Sequence, residues 1–125
     1  SSSYYVFPDP IDKEGHGFDF HVYFMQSVPN QVKYARNLYE RIKAEFPELQ
    51  VLDFGETPTE PHPVASFEIN TFNPHQTGAL FCWLTIERGS LSVLIHPHTG
   101  RPYKDHTELA TWMGRSWPVN EQILK

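Results

Sequence analysis

Phe18-Asp-Phe-His-Val-Tyr-Phe-Met25 alternates with a period of two, the spacing of a β-strand whose successive side chains point to opposite faces. Phe18, Phe20, Val22 and Phe24 share one face, and Asp19, His21, Tyr23 and Met25 share the other. A wholly apolar face has to look into a core, so His21 and Tyr23 look away from it. The remaining segments can be oriented against this strand.

Downstream, Asn30 after Pro29 has the form of a helix N-cap. Val32, Ala35, Leu38, Tyr39, Ile42 and Phe46 then recur at helical spacing, with charged residues opposite, until Pro47 stops the run. Leu49 to Phe54 reads as a short strand. Pro58, Pro61 and Pro63 make the next segment a loop. Val64 to Phe72 is a further strand, with Ala65, Phe67 and Ile69 on its apolar parity and Glu68 on the mixed one. Asn73 to Gly78 reads as a connection. Ala79 to Glu87 and Leu91 to Ile95 flank Arg88-Gly89-Ser90 as a tight hairpin would. On that reading Phe81 and Trp83 fall on the same sheet face as His21, while Leu80, Cys82 and Leu84 face the core. Asp105, with Glu108 three residues on, has capping-box spacing for a last short helix carrying Leu109, Ala110, Trp112 and Met113. The order strand, helix, four strands, helix predicts an α+β, ferredoxin-like sandwich: a mainly antiparallel sheet with helices on one face.

The chain of 125 residues carries 11 Pro, 7 His and 14% aromatics, with a net charge of −5. That length fits one domain over 18–115, with an irregular leader at 1–17 and a tail at 116–125. The 10 Lys and Arg are scattered, so no basic stripe for nucleic acid is present. Cys82 is the single cysteine, which excludes an internal disulfide and a thiolate zinc site. No basic and apolar leader or long apolar run predicts export or a membrane span. The expectation is a soluble, cytoplasmic protein.

Three imidazoles arrive on the non-core face from separate segments: His21 and His96 by strand parity, and His62 if the chain stays extended through Pro63. Imidazole suits iron, zinc and copper, and three such ligands on rigid elements leave positions open for substrate or dioxygen. Glu68 offers a carboxylate in place of one of them. His98 shares the His96-Pro-His98 turn with His96 and is a candidate substrate contact. His106, near a helix N-terminus, suits a neutral base or hydrogen-bond donor. His16 and His75 read as incidental. Phe81, Trp83 and Tyr23 suit the walls of an aromatic site, and Arg101, close in sequence to His96 and His98, is the first cation available to a substrate carboxylate.

Phe20-His-Val-Tyr-Phe24, Pro61-His-Pro63, His96-Pro-His-Thr-Gly100 and Asp105-His106 followed by Trp112-Met-Gly114, in this order over Phe18 to Gly114, resemble the fungal and bacterial DOPA 4,5-dioxygenase family. The resemblance implies a compact α+β fold, often dimeric, and Fe(II)-dependent extradiol opening of a catechol with O2. It assigns His21, His62 and His96 to the metal and makes Asp105 and His106 catalytic candidates. Asp19 and the region of Leu109 depart from the family pattern, which leads one to expect histidines there. Two other classes use the same residues: a non-catalytic ferredoxin-like dimer that binds a small ligand, and a zinc-dependent lyase or hydrolase.

Overall fold

The computed structural model describes residues 2–125. Its elements follow the order β1 (Phe18–Phe24), α1 (Pro29–Glu45), β2 (Gln50–Val51), β3 (Ala65–Thr71), α2 (Pro74–Glu87), β4 (Val93–Pro97), α3 (Pro102–His106) and β5 (Thr111–Met113), with a 3-10 turn at Glu121–Leu124. The strands form one sheet in the order β2-β3-β1-β4-β5, and every neighbouring pair is antiparallel. Two helices cross from strand to strand, α1 between β1 and β2 and α2 between β3 and β4. This is the α+β ferredoxin-like architecture that the sequence predicts, extended by a fifth edge strand.

β1 is central and its alternation governs the layering. Phe20, Val22 and Phe24 join Phe67, Ile69, Val93 and Ile95 in a core that also contains Leu38 and Ile42 of α1 and Leu80 and Leu84 of α2. Both long helices therefore cover one face. On the other face the register sets Asp19 between Asn70 of β3 and His96 of β4, and His21 between Glu68 and Leu94. Directly opposed residues on antiparallel strands share a face, so the polar residues of three strands are gathered together.

The expected hairpin is not formed. Residues 74–87, read in part as a connection and in part as a strand, make the helix α2, started by Pro74 at its first turn and by the Asn73 side chain, which accepts from the Gln76 N–H at 2.9 Å. Leu80, Trp83 and Leu84 turn inward at helical spacing. Phe81, Cys82 and Ile86 lie on the outside. Because α2 is apolar on both sides, its sequence also satisfies strand alternation, and that ambiguity produced the wrong period. Arg88 is the helix C-cap, and Gly89 takes the left-handed conformation at φ +62° that ends it.

Smaller differences follow the same logic. The pairing of β2 is limited to Gln50–Val51, and α1 begins at Pro29, ahead of the expected Asn30 cap. The last helix is Pro102–His106, with Asp105 inside it and not capping it. Thr111–Met113 then pairs with β4 as an edge strand in place of the second half of the expected helix. Residues 2–17 contain no helix or strand, yet Phe7 is buried against Phe18 at 5.4 Å between ring centroids. The leader is tied across the sheet end by Asp12 N–H to His98 O at 2.8 Å and by His98 N–H to Gly17 O at 2.9 Å. No helix among the described residues is long and apolar enough to cross a membrane.

Candidate metal centre

His21 on β1 and His96 on β4 are both buried, with their Nε2 atoms 3.0 Å apart and their rings nearly parallel at 5.0 Å between centroids. His106, from α3, lies over His96 with ring centroids 3.9 Å apart. The three imidazoles each present a nitrogen within 4.8 Å of the others. Two of them are oriented from behind. His96 Nδ1 donates to Pro97 O at 3.0 Å and His106 Nδ1 to Pro102 O at 2.8 Å. A proton held at Nδ1 by a carbonyl leaves the lone pair at Nε2, as a metal-bound imidazole requires. In the metal-free protein His21 satisfies the pair by donating to His96. For a cation to take both Nε2 lone pairs, the His21 proton would move to Nδ1, which lies 3.9 Å from Glu68 Oε1. Three grouped imidazoles, two of them tied at Nδ1 to backbone carbonyls, fit iron and zinc alike.

The burial of these rings sets their charge. His96 is pulled down to about 4 by burial first and then by the neighbouring His106. His21 is held well below the ordinary imidazole value, again by burial and then by the facing His62 and His96. Both rings are therefore neutral near pH 7, the state in which imidazole binds metal.

His62 comes from the loop between β2 and β3 and lies against His21, with ring centroids 4.4 Å apart. Its Nδ1 is 2.6 Å from the Tyr23 hydroxyl. Burial raises the Tyr23 phenol and, with His106, lowers His62 to about 4. Tyr23 accordingly keeps its proton and donates to Nδ1, and a neutral His62 then carries its own N–H at Nε2. His62 thus joins the site through Tyr23, whereas the closely grouped third imidazole beside His21 and His96 is His106.

Acidic groups frame the cluster. Asp19 Oδ2 is 3.9 Å from His21 Nε2, 3.7 Å from His96 Nε2 and 2.8 Å from His98 Nε2. Asn70 donates to both Asp19 Oδ1 and Glu68 Oε2 at 2.6 Å, holding the two carboxylates side by side. Glu68 approaches His21 from the Nδ1 side at 3.9 Å. Burial raises the Glu68 carboxyl and the adjacent Asp19 charge adds to this. Burial also pushes Asp19 upward, but hydrogen bonding and charge from His98 outweigh it and leave Asp19 below its ordinary value. A cavity of about 190 Å³ opens beside these groups, lined by His21, His62, Glu68, Asp53, Thr57 and Thr59 among others.

Several expected site residues lie elsewhere. Phe81 and Trp83 are on α2, across the sheet from the histidines. Trp83 packs edge-on to Phe46 at 5.7 Å in the helical layer, and Phe81 is half exposed. Arg101 is the exposed N-cap of α3, on a shallow cleft with Tyr103 and Lys125. Asp105 is buried, and its carboxylate is fully engaged: it accepts from Thr99 N–H at 2.9 Å and from Thr99 Oγ1–H at 2.5 Å. It fixes the His-Pro-His-Thr turn to α3 and so positions His106; it does not face the cavity. Asp19, Asn70 and His16 belong to the site's surroundings, although the sequence reading gave none of them a role there. Strand parity already put Asp19 beside His21, and that was the available signal.

Known proteins resemble the chain in sequence and in fold. The Dopa 4,5-dioxygenase family matches over residues 18–123. The chain belongs to that family. A 21.2 kDa uncharacterized protein of Botryotinia fuckeliana is 46% identical over 133 residues, covering 100% of this chain and 73% of its own length. The DOPA 4,5-dioxygenase of Amanita muscaria is 33% identical over 116 residues, covering 88% of this chain but 50% of that protein. The crystal structure of a dioxygenase candidate from Nostoc punctiforme superposes with a TM-score of 0.77 at 32% identity, covering 89% of this chain and 92% of the other. As a member of the Dopa 4,5-dioxygenase family, the chain carries its histidine cluster on a dioxygenase-type fold.

Proposed function

We propose that this protein is a DOPA 4,5-dioxygenase-like enzyme: a non-haem Fe(II) extradiol dioxygenase that opens a catechol ring with O2. The observation that carries the reading is the convergence of the His21, His96 and His106 nitrogens at one buried point beside a cavity, in a chain of this family. Iron held by these residues supplies the one-electron chemistry that lets O2 react with an electron-rich ring. In this reading His106 takes the ligand position that the family resemblance gave to His62. His62, neutral and backed by Tyr23 at Nδ1, lines the cavity with its N–H at Nε2 as a hydrogen-bond donor to a substrate oxygen.

The protein's own side chains then divide the work. Glu68 and Asp53 give the cavity an acidic rim, and its lining contains no Lys or Arg, which favours a catechol bearing an ammonium group. Thr57, Thr59 and the 52–59 backbone shape the pocket wall.

A homodimer belongs to the same reading. Residues 74–86 of α2 carry no Asp, Glu, Lys or Arg, and Ile86 is 77% and Phe81 45% exposed. A helix apolar on its outer side is suited to burial against a second copy. The exposed free thiol of Cys82 on that helix favours a reducing compartment such as the cytoplasm.

The decisive assay is anaerobic reconstitution with Fe(II), followed by DOPA or simpler catechols and then O2. Stoichiometric oxygen uptake and a yellow ring-opened semialdehyde are expected. Absence of both from metal-loaded protein, with every catechol tried, would overturn the enzymatic reading.

A further inference from the structure

A second group of ligand atoms adjoins the histidine centre and is not used by the reading above. His16, in the segment leading into β1, sends Nε2 to within 3.4 Å of Asp19 Oδ1. His98, just past the end of β4, brings Nε2 to 2.8 Å from Asp19 Oδ2. The two rings meet edge to face with centroids 4.5 Å apart. One ligand atom from each of the three residues lies within 4.8 Å of the other two. The backbone holds this arrangement: His98 N–H donates to Gly17 O, and Gly17 N–H donates to Thr71 O at 2.9 Å, so the His16 segment and the His98 turn are fastened to the same strand ends.

The closest contact, His98 Nε2 to Asp19 Oδ2 at 2.8 Å, is short but poorly aligned. Among the described residues, His98 Nε2 is a buried side-chain atom with no aligned hydrogen-bond partner, despite its short distance to the carboxylate. Two atoms near each other but not directed at each other suit ligands aimed at a shared third point. The carboxylate is held for such a role, since Asn70 fixes Oδ1 and leaves Oδ2 facing the imidazoles.

We infer that His16, Asp19 and His98 form a second divalent transition-metal site, additional to the His21, His96 and His106 centre and sharing the Asp19 carboxylate with it. Imidazole and carboxylate together select zinc, iron or manganese over magnesium or calcium, which take oxygen ligands. Asp19 Oδ2 lies 3.7 Å from His96 Nε2 and 3.9 Å from His21 Nε2, so one carboxylate can reach both ions, as in paired-metal sites with ions about 3.5–4 Å apart. The inference rests on the proposed histidine centre only in that the two share Asp19.

The test counts metal and requires no turnover. Apoprotein is saturated with Co(II), Mn(II) or Zn(II), desalted, and analysed by plasma mass spectrometry. Wild type should retain about two ions per chain, and His16→Ala and His98→Gln about one each. Mn(II)-loaded wild type should give the multiline paramagnetic resonance spectrum of a coupled pair, and His98→Gln that of an isolated ion. His16 is partly exposed, so His16→Ala should fold even if His98→Gln does not, which circular dichroism checks. A single ion in wild type that His96→Ala removes and His16→Ala leaves in place would overturn the second site while sparing the proposed function. No retained ion at all would overturn both. Two ions undiminished by either His16→Ala or His98→Gln would place the second ion elsewhere and defeat the inference.

Discussion

His96 shows how one residue can be read from both ends. It terminates an aliphatic strand, is buried, and has its Nδ1 proton tied to Pro97 O, so truncation removes an oriented lone pair and leaves a void. His96→Ala should lower metal affinity by at least tenfold, the scale of effect seen even for outer partners of metal ligands, measured by competition with a chromogenic chelator. Buried neutral rings also make stability pH-dependent. His62 and His96 titrate at about 4 in the folded chain against about 6.5 when unfolded. Between these values the unfolded chain binds more protons, so metal-free protein should be most stable above pH 6.5 and lose on the order of a few kcal/mol as the pH falls toward 4. His98 works the other way: hydrogen bonding to Asp19 raises it, so its contribution is full at low pH and fades as the pH climbs through its folded value. Thermal melts of apoprotein across pH 7.5 to 4.5 read the net slope, and a flat profile would contradict the buried neutral histidines. At this scale the sequence was informative, because parity alone brought His21 and His96 together. It could not show that Thr99 occupies the Asp105 carboxylate or that His106 folds back over His96, since both depend on a five-residue helix with no periodicity to read.

Among the elements, β1 was legible and α2 was not, for a physical reason. A strand with one apolar face has a single consistent reading, whereas a helix apolar on both faces satisfies two periods. Asn73 followed by Pro74 was the signal that favours a helix, a side-chain cap ahead of proline at the first helical position. Asn73→Ala should therefore destabilise the fold by about 1 kcal/mol, read from the urea midpoint at unchanged slope. The outer side of α2 gives a separate expectation. Ile86→Glu should convert a dimer to monomer in sedimentation equilibrium while leaving metal uptake intact. A wild-type protein that is monomeric at all accessible concentrations would remove the dimer from the proposal. The short α3 is held by the Thr99 to Asp105 bonds and carries His106 to the sheet.

For the molecule as a whole, the charge around the cavity decides which catechols it admits. With Asp53 and Glu68 on the lining and Arg101 turned away, kcat/KM for dopamine should exceed that for 3,4-dihydroxyphenylacetate by about tenfold, equivalent to about 1.4 kcal/mol of transition-state discrimination. A preference for the acid would return the substrate-carboxylate role to a cation such as Arg101. The sheet that supports this pocket has β1 as its central strand, and there Phe20, Val22 and Phe24 alternate with Asp19, His21 and Tyr23. Positions that set stability and positions that set chemistry are neighbours in sequence but lie on opposite sides of a wall one strand thick. Substitution at the odd-numbered positions can therefore retune metal and substrate without repacking the even-numbered ones, so that new chemistry and a conserved scaffold can vary independently along the same seven residues.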